Sequence, residues 1–228
     1  MKYVVVDFEM NPLPKKMKQV REICQQEIIE IGAVMLDDDW QEIDAYKSLV
    51  KPEYNPQIAP YFANLTGITT DMLAGADTFK TAFEKFAGWC AGCQDAFTVI
   101  AWSESDYQQF SSELQLKEPE AEAKLECLMG DWYDFQKEFS DIVKEKKQVS
   151  LDMALLYAKI PFTGRRHDAL WDAKNTADLY RMTRSAEKRN RIAENAKTMF
   201  VSEPLTSSLG DLFNFVWCCR LKDTGKEK

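Results

Sequence analysis

The chain has 228 residues, 45% of them hydrophobic and 12% aromatic. That is enough apolar side chain to close one substantial core, with too little Gly and Pro for a disordered polymer. A formal net charge of −8 excludes a sequence-independent nucleic-acid coat, whose affinity rests on a basic face, although carboxylates can meet a phosphodiester through an intervening divalent cation. No apolar run is long enough to span a bilayer, and "MKYVVVDFEM" carries Asp7 and Glu9 where a signal peptide needs an unbroken apolar core. A soluble, cytoplasmic protein with no membrane partner is therefore expected.

In chain order, "YVVVDFE" reads as a buried strand, followed by a basic loop to about residue 22 that contains "KKMK". "EIIEIGAVML" and "IDAYKSLV", joined by the acidic turn "DDDWQE", predict an antiparallel hairpin. After Pro52 the pattern turns helical. A short helix is expected near "PQIAPYFANL", a break at Gly67, and a longer helix over "TFKTAFEKFAGWC", where Phe79, Phe83 and Phe86 recur at helical spacing.

"AFTVIAW" reads as a fourth strand, leading through "SESD", with serines available as caps, into the helix "YQQFSSELQL". "WYDF" is a short fifth strand, and helices are expected at "FQKEFSDIVKE", "SLDMALLYAK" and "ALWDAKNTADLYRMTRSAEK". The order implies an α/β fold: a mixed five-stranded sheet, three antiparallel strands followed by βα units, with helices on both faces. One domain over residues 1–185 is expected, with residues 186–228 as a helical or extended appendage.

The six cysteines, at 24, 90, 93, 127, 218 and 219, are too sparse for a secreted disulfide scaffold, so reduced thiols are expected. "CAGC" at 90–93 lacks a second CxxC, and a zinc set would need Cys218 and Cys219 to fold back to it; a bland pair of helical thiols is the simpler reading. The basic stretches at 15–18, Arg165 with Arg166, and 181–197 read as solvated faces or as local contacts for nucleic acid.

Chemistry enters through acids at strand ends. Asp7 and Glu9 are two apart, so on an extended chain both carboxylates leave one face of an apolar strand. Such a pair is tolerable at a core edge when a cation or a proton neutralises it, or when the strand end is simply solvated. Asp106 lies just beyond the fourth strand, where an acid at a helix N-terminus is also an ordinary dipole partner. The single histidine, His167, falls at the end of the loop "GRRH", with Asp168 a plausible first-turn acid and Asp172 one turn into the helix. On a continuous helix, residues five apart point about 140° from each other. From a loop, His167 can reach the same point as Asp172; its alternative is a satisfied surface or core imidazole.

Taken in order, "DFE", "WSESDYQQF" and "HDALWDAKN" resemble the motifs of the DEDDh (DnaQ-like) 3′-to-5′ exonucleases, over about residues 1–185. The wording of "EIIEIGAVML", "NPQIAPYFANLTGIT" and "DAKNTA" is similar to the subgroup of the histone-messenger-RNA 3′-exonuclease, the enhanced-RNAi enzymes and their bacterial relatives. The resemblance implies a ribonuclease H-like fold. It implies that Asp7, Glu9, Asp106 and Asp172 are catalytic metal ligands for two Mg²⁺ or Mn²⁺ ions, with His167 as the general base.

By the same resemblance, Met10, Tyr61, Asn64, Leu65 and Thr66 line the pocket for the terminal nucleotide; Met10 stands where many relatives carry a small or hydroxylated residue. The implied reaction is hydrolysis of single-stranded RNA or 3′ overhangs to nucleoside 5′-monophosphates. A DNA-directed exonuclease is the alternative within that chemistry, and a non-catalytic nucleic-acid-binding module the alternative outside it. The loop at 11–22 has no counterpart in the resemblance. Nor has the tail, whose "FNFVW" is expected to pack on the domain, on a protein partner or on a second copy.

Overall fold

The computed structural model describes residues 1–92, 96–117, 125, 128, 130 and 132–199. The expectations for Cys93, Cys127, Cys218, Cys219 and the "FNFVW" run fall outside the described residues. Among the described residues no helix is long and apolar enough to cross a membrane.

The strands are β1 (Lys2–Pro12), β2 (Gln26–Leu36), β3 (Glu42–Lys51), β4 (Asp77–Thr78), β5 (Phe97–Ala101) and β6 (Trp132–Asp134). They form one sheet in the order β4-β3-β2-β1-β5-β6. β1, β2 and β3 pair antiparallel, and β5 joins β1 in parallel, with β6 parallel beyond it. The hairpin turn is closed by Asp37, whose carboxylate accepts from the amides of Asp39 and Gln41. The sheet has one strand more than the five expected. The added β4 is a two-residue edge on Val50 and Lys51, too short to carry a period in sequence.

The described helices are α1 (Lys18–Ile23), α2 (Pro60–Thr66), α3 (Thr70–Ala74), α4 (Phe79–Ala91), α5 (Glu104–Lys117), α6 (Phe135–Val143), α7 (Leu151–Ala158), α8 (Ala169–Thr183) and α9 (Ala186–Met199). The stretch expected as a basic loop is partly ordered into β1's last residues and α1, which buries no residue of its own. The late helix expected as one piece breaks after Thr183 into α8 and α9.

Strand alternation sorts the core into two layers. Val4, Val6 and Phe8 of β1 meet Phe79, Phe83 and Phe86 of α4 and Phe110 of α5. On the opposite face Val5 meets Phe135 and Phe139 of α6, Ala154 and Leu155 of α7, Ala173 and Ala177 of α8, and Ile192 and Ala196 of α9. Helices thus cover both faces, and α9, within the segment assigned to an appendage, contributes to that second core.

Two features of β1 set up the site. Its pairing with β5 ends at Val6 opposite Ala101, so the strand outruns its neighbour and leaves an open edge from Asp7 onward. Its register with β2 shifts between Glu9 and Met10, where Ile31 to Ile28 bridge Phe8 to Met10 with one extra residue. That bulge turns Ile29 into a separate small cluster with Ile58, Ile68 and Leu73 under α2 and α3.

Candidate active site

Asp7 and Glu9 follow Val5 on the β1 face that meets α8. What lets α8 come so close is Gly32, which stands opposite Asp7 in the register. A Cβ there would lie 2.1 Å from the backbone carbon of Ala169 and from the amide nitrogen of Leu170. The first turn of α8 therefore rests on bare backbone, and its acids arrive beside those of β1.

Four contacts fix that helix end. Asp168 is its N-cap, accepting from the amide of Trp171 at 3.3 Å, rather than the first-turn acid expected from sequence. Glu30, the register partner of Glu9, accepts from the amide of Ala169 at 3.0 Å. Lys47 of β3 joins both acids, 3.2 Å from Glu30 and 2.5 Å from Asp168. A helix N-terminus carries unsatisfied amides and partial positive charge, so buried carboxylates are its natural seat.

Asp106 comes from the other side. Because β5 has ended, the amide of Phe8 has no strand partner there, and it donates to Asp106 Oδ1 at 3.3 Å. Asp106 in the first turn of α5 is thereby tied to the main chain between Asp7 and Glu9. Ser103 Oγ accepts from the amide of Ser105 at 3.4 Å, capping this helix as the serines of "SESD" suggest.

His167 is exposed and has a left-handed backbone, φ 58°. Its amide donates to Asp172 Oδ2 at 2.9 Å. Ligand atoms of Glu9, His167 and Asp172 lie within 4.8 Å of one another. Asp7 and Asp106 join this group through their charges.

The electrostatics follow from burial and crowding. Burial, then the charges of Asp106, Asp172, Glu9 and Glu30, hold the Asp7 carboxyl well above the ordinary range. Glu9 is pushed up to about 8, by burial first and then by Asp172, Glu30, Asp168 and Asp106. Burial lifts Asp106 to about 7 and Asp172 to about 6, against the amides that bond them. Glu30 is raised by burial, with the Ala169 amide and Lys47 opposing. Among the described residues no lysine or arginine pairs with Asp7, Glu9, Asp106 or Asp172. A converging set of hard oxygen donors with no protein cation between them fits a divalent ion.

The five residues expected at a terminal-nucleotide pocket are placed differently from one another. Tyr61 is 69% exposed on α2, with its ring edge-on to Phe62 at 5.1 Å, so its face is open for stacking. Met10 packs partly against the first core layer. The main-chain carbonyls of Asn64 and Leu65 accept from Arg165 Nη2 at 3.1 and 3.2 Å. Thr66 is buried, its hydroxyl donating to Phe62 and accepting from the amide of Ile68, which shapes the break at Gly67.

Sequence reasoning missed Glu30, Gly32, Lys47, Arg165 and Asn175 as parts of this site. The fully buried Asn175 clamps Thr163: its Oδ1 accepts from that residue's amide at 2.9 Å, and its Nδ2 donates to the Thr163 and Trp171 carbonyls. The signal for Glu30 was a carboxylate inside the apolar run "EIIEIGAVML".

Residues 4–180 match the family model described as Exonuclease, RNase_T. A human protein named 3′-5′ exoribonuclease 1 is 30% identical over 163 residues, covering 67% of this chain and 45% of its own length. The chain spans less than half the length of the curated relatives it matches first. The nuclease domain of 3′hExo, a DEDDh family member solved bound to rAMP, superposes with a TM-score of 0.69 at 24% identity, covering 81% of this chain and 92% of that one. The Mg²⁺- and Mn²⁺-bound form of S. pombe Pop2p does so with a TM-score of 0.58 at 18% identity, covering 82% and 84%. At these identities the structural likenesses show the fold, the ribonuclease H-like sheet with helices on both faces.

Proposed function

The chain belongs to the exonuclease family whose model spans residues 4–180, and from that premise we propose that it is a metal-dependent 3′-to-5′ exonuclease. Its substrate in this reading is single-stranded RNA or a short 3′ overhang, and its products are nucleoside 5′-monophosphates. The observation that carries the proposal is the meeting of Glu9, Asp172 and His167 within 4.8 Å, with Asp7 and Asp106 charged against them.

Asp7, Glu9, Asp106 and Asp172 are the residues that would hold divalent ions, two Mg²⁺ or Mn²⁺ in this reading. When bound, such ions supply Lewis acidity toward the phosphate and make water a stronger acid. The chain's own residues do the rest. His167, whose ring nitrogen lies within 4.8 Å of ligand atoms of Glu9 and Asp172, accepts the proton of the attacking water. The exposed ring of Tyr61 stacks on the terminal base, an interaction worth about 1–3 kcal/mol in comparable sites. Asn64 and Leu65 of α2 and Met10 of β1 border the sugar, and Thr66 holds the end of α2.

RNA is favoured over DNA because the human relative carries the name exoribonuclease and a structural neighbour was solved with a ribonucleotide. The test is a time course on matched RNA and DNA oligonucleotides labelled at the 5′ end, with Mg²⁺, Mn²⁺ or EDTA. A ladder shortening from the 3′ end, mononucleotide products, faster loss of RNA and full arrest by EDTA are expected. Cleavage of a circular single strand, or undiminished turnover in EDTA, would sink the proposal; equal rates on DNA would remove its RNA preference.

A further inference from the structure

The loop that carries His167 and the helix that carries Tyr61 are far apart in sequence, and one side chain joins them. Arg165, two residues before His167, reaches across to α2, where its Nη2 donates to the carbonyls of Asn64 and Leu65 at 3.1 and 3.2 Å. These are last-turn carbonyls that the helix itself leaves without partners. The amide of Gly67 already serves Ala63 at 2.8 Å, so the guanidinium completes the end of α2.

The fit requires Gly67. A Cβ at that position would lie 1.6 Å from Arg165 Nη1, and the residue turns the chain at φ 76°. The arginine therefore lies across a stretch of bare backbone, as α8 does on Gly32. Neighbouring Arg166 behaves otherwise: it pairs with Asp152 at 2.8 Å and lies over the Phe162 ring. Among the described residues no carboxylate pairs with Arg165, although an acidic cluster lies beside its loop; its partners are the α2 carbonyls. Behind it the loop is pinned to α8 through Asn175 and Thr163.

We infer that Arg165 is a positioning residue that latches α2 to the His167 loop, so that the helix that receives the terminal nucleotide and the imidazole that receives the proton keep one fixed spacing. The inference rests on the exonuclease reading above. Both bonds come from Nη2, whose two hydrogens are fixed in the guanidinium plane, so they resist rotation of the helix more than a freely turning ammonium would. A displacement of about 1 Å between a bound substrate and a catalytic group is enough to cost roughly 100-fold in rate.

The experiment is a cycle of Arg165→Ala, Gly67→Ala and the double variant, with Arg165→Lys beside them, on a labelled RNA oligonucleotide with Mg²⁺. Arg165→Ala is expected to lower kcat about 10- to 100-fold while KM moves less than about threefold, and Arg165→Lys to recover part of the loss. Gly67→Ala should lower kcat in the parent protein, because the methyl displaces the guanidinium, yet add less than about twofold to Arg165→Ala. The strain of alanine at a positive φ is common to both backgrounds and cancels in the cycle. Amide hydrogen exchange of metal-free protein gives a second readout, in which α2 and residues 164–168 should lose protection together in Arg165→Ala.

Retention of parental kcat by Arg165→Ala would overturn the latch. So would a loss confined to KM that deepens with salt, which marks a direct phosphate contact, or losses that multiply in the double variant. Exchange rising in only one of the two segments would overturn it as well. An inactive parent protein would instead overturn the exonuclease reading, and with it the kinetic role of Arg165, whatever the exchange shows.

Discussion

His167 holds a backbone conformation that non-glycine residues adopt uncommonly, φ 58°, and the bond from its amide to Asp172 secures it. The imidazole thus owes its place to its own main chain, and truncating the ring leaves that bond intact. His167→Ala is expected to lower kcat by roughly 100- to 10,000-fold with little change in metal-dependent RNA binding; an unchanged kcat in single-turnover assays would return the residue to a solvated imidazole. The acids beside it carry a different consequence. Glu9, Asp106 and Asp172 titrate at about 8, 7 and 6 when folded without metal, and Asp7 is raised as well, against about 4 in an unfolded chain. The folded state therefore holds protons that the unfolded state releases, and its stability falls as pH rises from about 4 through 8. In EDTA the melting temperature is expected to be lower at pH 8 than at pH 6, and Mg²⁺ should raise it more at pH 8. Asp7→Asn should flatten both trends in thermal scans. A metal-free protein that gains stability between pH 6 and 8 would refute the crowding of these carboxylates.

At the scale of elements, the site is a contact between one strand and one helix end, and its closeness depends on Gly32. An alanine there has its Cβ 2.1 Å from α8 backbone, where no flexible side chain can yield, so the helix must lift from the sheet. Gly32→Ala is expected to cost at least about 1–3 kcal/mol in urea unfolding and to remove most activity, since Asp172 and His167 travel with α8; a normal kcat would show that the helix end can move without harm. Glu30→Gln keeps an acceptor for the Ala169 amide and loses the charge facing Lys47. Its kcat is expected to fall less than that of Glu30→Ala, which leaves the amide without its acceptor. These dependencies explain what sequence could carry. Asp106, His167 and Asp172 were visible because each stands at a helix end, and D-x-E because it breaks an apolar run inside β1 where pairing with β5 stops, all in motifs of fixed local order. Glu30 and Gly32 sit inside a strand, and their meaning arises only when β2 pairs with β1 and a helix 139 positions later docks on them. Arg165 reads as half of a basic pair until α2 lies under it. The six-stranded count and the α1 turn were missed for a simpler reason: two residues of edge pairing and six of helix leave no periodic trace.

For the whole molecule, the same sheet supports two layers with different duties. The layer under α4 and α5 is dominated by phenylalanine, with Phe83 in ring contact with Phe79, Phe86 and Phe110, and the spacing of the first three was legible as an amphipathic helix. On the other face, α8 turns small side chains toward the sheet, Ala169, Ala173 and Ala177 among them, which bring the helix near enough to place Asp172. That closeness must be held from behind. α9 supplies Ile192 and Ala196 to this layer, and Asn195 donates to the Tyr157 carbonyl at 2.8 Å, so the helix braces α7 against the rest of the layer. Its polar composition, with only those two buried residues, is why the sequence read as an appendage from residue 186. If the brace matters, a chain ending at Ser185 should lose cooperativity and activity together, relative to one ending at Met199. Ile192→Ala isolates the effect without truncation and is expected to cost roughly 2–5 kcal/mol, with kcat preserved wherever the variant remains folded. Should the chain ending at Ser185 melt with the midpoint of the one ending at Met199, α9 would be peripheral and the domain boundary would fall back to residue 185. Should it stay folded but inactive, the brace would act on the placement of α8 alone, which Asp172-dependent Mg²⁺ stabilisation in the same scans would register as a weakened shift.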